Sequence, residues 1–113
     1  MSISKNIKTE DTGMEKHVPF ISAKECATCG ELSVTIQVGQ NVIHPSTVEH
    51  SIKTITLYGK TKEGALKQLT LFQLGDENTV ARVRTSVIKG TFTELIATSY
   101  CNLHGLWEGS LKI

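Results

Sequence analysis

The chain has 113 residues, and twelve Lys and Arg against eleven Asp and Glu leave a formal net charge of +1. That length suits a single domain with one core, so residues 1–113 are expected to form one unit, and the near-neutral balance excludes a broad field for nucleic acid or an anionic membrane. Residues 1–16 are mostly polar and lack the apolar run of a signal peptide or membrane span, so residues 1–14 are expected to be a mobile segment and the protein to be cytoplasmic.

In chain order, Pro19-Phe20-Ile21 is the first candidate strand. Cys26-Ala-Thr-Cys29 follows it and precedes the first clear periodicity, in which Leu32, Val34, Ile36 and Val38 alternate with Ser33, Thr35 and Gln37. A period of two puts the apolar side chains on one face of a half-buried strand. Further strands are predicted over 52–58, 66–74, 79–87 and 91–101, divided by turn residues at Gly59, Gly64, Gly75-Asp76 and Gly90, and a last one over 106–113. No segment has a sustained helical period, and no repeat or low-complexity linker divides the chain. The pattern predicts an all-β, short-stranded antiparallel sandwich or barrel.

The residues that carry chemistry lie between these strands. His44-Pro-Ser-Thr-Val-Glu-His50 places two imidazoles on one inter-strand loop, with Pro45 holding His44 toward an extended backbone. Cys101-Asn-Leu-His104 falls where a strand ends, and Gly105 permits a tight turn that would bring a thiolate and an imidazole to one ion. A lone histidine is more often a surface or satisfied core residue, and a Cys-x-x-His pair alone is only moderately specific; together the two motifs point to a metal centre.

Glu15-Lys-His-Val-Pro19, the loop from His44 to His50 and Cys101-Asn-Leu-His-Gly-Leu-Trp-Glu108 together resemble the signature blocks of the superoxide reductase family, which includes neelaredoxin and desulfoferrodoxin. The resemblance runs from about Glu15 to the C-terminus. It implies a seven-stranded immunoglobulin-like antiparallel β-sandwich or barrel holding one iron ion (Fe2+/Fe3+) per subunit. It also implies equatorial ligands His17, His44, His50 and His104, an axial thiolate from Cys101, and an open sixth position. The implied reaction is one-electron reduction of superoxide to hydrogen peroxide, with Glu15 capping the sixth site in the ferric state and Lys16 assisting at the open face. Implied partners are a rubredoxin-like electron donor and other copies of the chain in a tetramer. Taken as plain residues, Glu15 and Lys16 are a solvated charged pair.

Trp107 and Leu106 are expected to cover the metal loop, and Glu49 to be a surface carboxylate. Cys26 and Cys29 do not match the four-cysteine domain of two-iron family members, so the chain resembles the one-iron class. The pair is left open between thiols, a disulfide and a metal site shared between subunits. Two rival functions are a blue-copper electron-transfer protein, which wants two imidazoles, one thiolate and an axial Met, and a non-catalytic metal-binding β-sandwich, for which five ligands exceed what structural zinc needs.

Overall fold

In a computed structural model of the chain, residues 2–11, 16–75 and 77–113 are described. Seven strands follow one another: β1 (Pro19–Glu25), β2 (Glu31–Val38), β3 (Ile52–Thr61), β4 (Leu66–Gln73), β5 (Arg82–Ile88), β6 (Phe92–Cys101) and β7 (Gly105–Lys112). They form a three-stranded sheet ordered β1-β2-β5 and a four-stranded sheet ordered β4-β3-β6-β7. Every pairing between these strands is antiparallel. Among the described residues no helix is long and apolar enough to cross a membrane.

The alternation read in the sequence is the alternation that packs. Leu32, Val34, Ile36 and Val38 all point inward from β2 and meet Ile55, Leu57, Leu95 and Ala97 of the opposite sheet in one buried cluster. Full burial of each of these large aliphatic side chains contributes about 1.5–3 kcal/mol, so this face-to-face contact dominates the stability of the sandwich. Gly109 lies where β7 passes so closely over β1 that a Cβ there would collide with the Pro19 carbonyl oxygen.

Several boundaries differ from the sequence reading. β3 runs on to Thr61 through Gly59, expected as a turn, because Gly59 pairs with Lys67 of β4 and Leu95 of β6. β1 extends to Glu25, because all seven of its residues find partners on β2, from Pro19 opposite Val38 to Glu25 opposite Leu32. β5 begins at Arg82 rather than at residue 79: Asn78 takes a left-handed φ of 65° and the Arg82 N–H turns back to the Val80 carbonyl, a tight turn that cannot sit in a ladder. Ahead of β1, residues 2–11 meet the sheet at Lys8. Ile3–Lys5 forms a single 3-10 turn, and Lys8 pairs in parallel with Trp107, donating its N–H to Leu106 and accepting from Glu108.

Candidate metal centre

One end of the sandwich gathers the chemistry-bearing residues. His17 precedes β1, the loop of His44 and His50 joins β2 to β3, Cys101 ends β6, and His104 lies in the turn to β7. A register shift between Ile52 and Thr54 on β3 sets this end. The extra residue, Lys53, turns Ile52 inward and brings it opposite Cys101, which is itself inward and in phase with Leu95, Ala97 and Ser99. A bulge at this position re-aims side chains where the ladder ends.

The four imidazoles form a four-cornered ring. Neighbouring centroids lie 4.8 Å apart for His17 and His44, 4.5 Å for His44 and His50, 5.1 Å for His50 and His104, and 4.8 Å for His104 and His17, each pair edge to face. The His17–His50 separation of 6.3 Å is the longer one, as a diagonal must be. One ligating atom from each of His17, His44, His50 and Cys101 falls within 4.8 Å of all the others. His104 joins them through Nδ1, which lies 3.1 Å from His17 Nε2 and 3.8 Å from the Cys101 sulfur. His17, His44 and Cys101 are buried, His50 is half-buried, and His104 is exposed, so the cluster opens to solvent on the His104 side.

Donor chemistry and spacing both suit one transition-metal ion. Imidazole nitrogens about 2.1 Å from an ion and at right angles to each other lie about 3 Å apart, close to the 3.1 Å between His17 Nε2 and His104 Nδ1. The Cys101 sulfur is 3.6 Å from His44 Nε2, about half an ångström beyond what a shared ion with a thiolate at about 2.3 Å would draw it to. His44 Nδ1 donates to the Pro45 carbonyl at 2.8 Å, which leaves Nε2 as the lone-pair atom facing the sulfur. Fixing a ligand's tautomer by such a bond is characteristic of metal-binding histidines.

The residues that hold the ring in place were mostly not singled out from sequence. Asn102 joins the two ligand turns: its Oδ1 accepts from the Ser51 N–H at 3.0 Å, and its Nδ2 donates to the Glu49 carbonyl at 3.0 Å. Thr47 closes the turn before His50, its hydroxyl donating to the His50 carbonyl at 3.1 Å. The Asp11 carboxylate accepts the backbone N–H groups of His17 and Val18, and the Ser99 hydroxyl donates to the His17 carbonyl at 3.1 Å. Nothing but a general preference of Asn and Asp for backbone bonding marks these residues in the sequence.

Trp107 stacks on the His17 ring, with centroids 4.6 Å apart and planes inclined by 14°, and donates its indole N–H to the His104 carbonyl at 3.1 Å. It is 4% exposed, whereas Leu106, expected to share the cover, is 41% exposed because successive residues of β7 face opposite sides. Lys8 lies over Trp107, its Nζ 4.7 Å from the ring centroid and 3.2 Å from the His104 carbonyl. Glu49 is an exposed carboxylate whose backbone carbonyl, not its side chain, is used. Lys16 is half-buried immediately before His17 and lines a depression with Asp11, Gln40 and Asn41; Glu15 lies outside the described residues. Cys26 and Cys29 are joined by a disulfide at the opposite end of the sandwich, one of the three alternatives open for that pair.

A desulfoferrodoxin family model matches residues 9–110. The chain belongs to the desulfoferrodoxin family. Among relatives of this family, a superoxide reductase of Thermococcus kodakarensis is 37% identical over 120 residues, covering 98% of this chain and 98% of its own. A crystal structure of superoxide reductase in the oxidized state superposes with a TM-score of 0.89 at 29% identity and 99% coverage of both chains. The superoxide reductase (1Fe-SOR) of Giardia intestinalis superposes with a TM-score of 0.75 at 34% identity, covering 88% of this chain and 100% of its own. The two antiparallel sheets of this desulfoferrodoxin relative are therefore the immunoglobulin-like β-sandwich of those structures.

Proposed function

We propose that this chain is a superoxide reductase, reducing superoxide to hydrogen peroxide at one iron ion held by His17, His44, His50, His104 and Cys101. The observation that carries the reading is the convergence of four imidazoles and one thiol at the end of the sandwich, with one side of the ring open to solvent. When bound, ferrous iron supplies the single electron, and two protons complete the peroxide.

The protein's part is to hold neutral donors and control access. The tautomer set by the Pro45 carbonyl keeps His44 Nε2 a lone-pair donor. Trp107 lies flat against His17 and keeps water off that ring, which favours interaction with a small anion in a site of lowered dielectric. Lys16 next to His17 would raise the local concentration of superoxide and order a proton-donating water, and Glu15 would supply a carboxylate to the iron in its oxidised state. The rival blue-copper reading needs two imidazoles beside a sulfur, and the ring offers four.

Residues 1–113 act as one domain, a reading supported by the single apolar cluster that spans both sheets. A rubredoxin-like donor in the cytoplasm would supply the electron for each further turnover. Exposed Leu66 and Leu71 on β4 and Ile88 on β5 support assembly into a homotetramer. The test is a superoxide pulse given to anaerobic, iron-loaded, pre-reduced protein with peroxide and dioxygen measured together. One peroxide per superoxide without dioxygen is expected; half that peroxide with dioxygen would mean dismutation and refute the reading.

A further inference from the structure

We infer that Cys26 and Cys29 form a thiol–disulfide exchange site at the tip of the β1–β2 hairpin, reduced by a dithiol and independent of the metal centre. The pair lies beyond the end of β1 opposite to His17, about 30 Å away at the rise of an extended strand. It is bridged and reachable: Cys29 is exposed and Cys26 half-buried, whereas the third cysteine, Cys101, is fully buried in the metal centre.

The hairpin does not need the bridge. Seven consecutive residue pairs already hold β1 to β2, the Cys26 N–H donates to the Glu31 carbonyl at 3.0 Å, and the Lys89 N–H donates to the Gly30 carbonyl at 3.0 Å. A crosslink between residues three apart also closes too short a loop to remove much entropy from the unfolded chain. A bridge that adds little to the fold, on an open turn, is suited to exchange. Gly30 supports that openness, since its φ is +69° and a Cβ there would meet nothing within 4 Å.

The local geometry also gives the two sulfurs different roles. An incoming thiolate attacks the exposed Cys29 sulfur and forms a mixed disulfide; the Cys26–Cys29 bond breaks and its electron pair leaves on Cys26. The Thr28 hydroxyl, 3.9 Å from the Cys26 sulfur, can donate to that thiolate. Lys89 Nζ, 3.4 Å from the Cys26 carbonyl oxygen, places a cation beside the same residue. The second thiol of the reductant then attacks its own mixed-disulfide sulfur and displaces Cys29. Two electrons and two protons have passed to the protein, and the reductant leaves as a disulfide.

The test takes the metal-loaded full chain through anaerobic mixtures of reduced and oxidised dithiothreitol, with native-state alkylation by iodoacetamide and intact mass measurement. We expect one reversible transition that gains two labels without denaturant, while metal content and β-sheet circular dichroism stay constant. The double variant Cys26→Ser/Cys29→Ser should lose the transition and keep the wild-type rate of superoxide consumption. Thr28→Val should slow reduction about threefold, by removing the donor to the leaving thiolate. Labelling only after denaturation would overturn the inference by making the bridge a structural staple, and two labels at every ratio would overturn it by denying the bridge. Zinc uptake by the reduced pair would overturn it in favour of a metal site. The labelling and zinc outcomes do not depend on whether the other end of the sandwich reduces superoxide; only the rate kept by the double variant rests on that reading.

Discussion

Asn102 is the residue through which the metal centre is most economically tested. Its side chain bonds the Ser51 N–H and the Glu49 carbonyl, and its own N–H donates to the Ser51 carbonyl at 3.2 Å. Asn102→Ala keeps only the last of these. The bond to the Glu49 carbonyl is lost at about 1 kcal/mol, and the N–H of fully buried Ser51 is stranded at a cost of about 1–3 kcal/mol, giving a total of about 2–4 kcal/mol. For a chain of this size such a loss lowers the melting temperature by about 10 °C. Ser51 and Glu49 flank His50, and Asn102 is two residues from His104, so the same change frees two corners of the imidazole ring together. Metal affinity should fall about 10–100-fold, the usual range for partners that orient ligands. Thermal unfolding of the metal-free chain reads the first quantity, and competition against a chelator reads the second. Asn102→Asp should be intermediate, because it keeps the acceptor for Ser51 but turns a carboxylate oxygen toward the Glu49 carbonyl. An Asn102→Ala variant with unchanged melting temperature and unchanged affinity would refute the argument that this side chain couples the two turns.

Cys101→Ser should keep the β fold while abolishing the sulfur-to-metal charge-transfer band and most superoxide reduction, as absorption spectra and stopped-flow kinetics would register. Trp107→Phe keeps a ring against His17 but loses the indole bond to the His104 carbonyl, so a loss of about 1 kcal/mol in denaturant unfolding and a shifted reduction potential are expected. Lys8→Met removes both a bond to His104 and a cation over Trp107; about 1 kcal/mol should be lost, with less of the difference remaining at high salt. Gly109→Ala drives a methyl into the Pro19 carbonyl oxygen and should destabilise the sandwich by more than about 3 kcal/mol or prevent soluble expression. Removing the metal with a chelator should lower the melting temperature, and re-adding ferrous iron should restore it in a concentration-dependent way, since an ion bound only to the folded chain stabilises by mass action.

The fold was legible where the sequence repeats a physical rule. Period-two alternation in β2 states which face is buried, and Gly64, Gly75 and Gly90 fall between strands, so seven strands lie within a few residues of the predicted ones, although Gly59, expected as a turn, is paired inside β3. The rule fails where backbone pairing outruns side-chain pattern. β1 is longer than its apolar stretch because Ser22, Lys24 and Glu25 pair with β2 while facing solvent or the rim. β5 is shorter than its pattern because a tight turn at Val80 takes up the Arg82 N–H. The bulge at Lys53 has no sequence signal either, yet it decides that Ile52 faces inward opposite Cys101.

The site shows the same division. His44, His50, Cys101 and His104 were legible as donors because thiol and imidazole spacing is itself chemistry. Which nitrogen of each ring faces the ion, and what keeps the rings in a four-cornered arrangement, depend on contacts between distant segments. Lys8 donates to the His104 carbonyl, Asp11 holds the backbone at His17, Ser99 donates to the His17 carbonyl, and Asn102 reaches back to Glu49 and Ser51. Each of these is a polar side chain answering a backbone group, an interaction that any Asn, Asp, Ser or Lys could make and that only the three-dimensional juxtaposition selects. The candidate donors could therefore be read from one short motif at a time, whereas their preorganisation could not, because it is distributed over several strand ends. That distribution has a testable consequence. Changes at Lys8, Asp11 or Asn102 should alter affinity and potential while leaving the ligand set itself intact, and double variants that pair Asn102 with Lys8 should be less than additive because both act on the turn carrying His104.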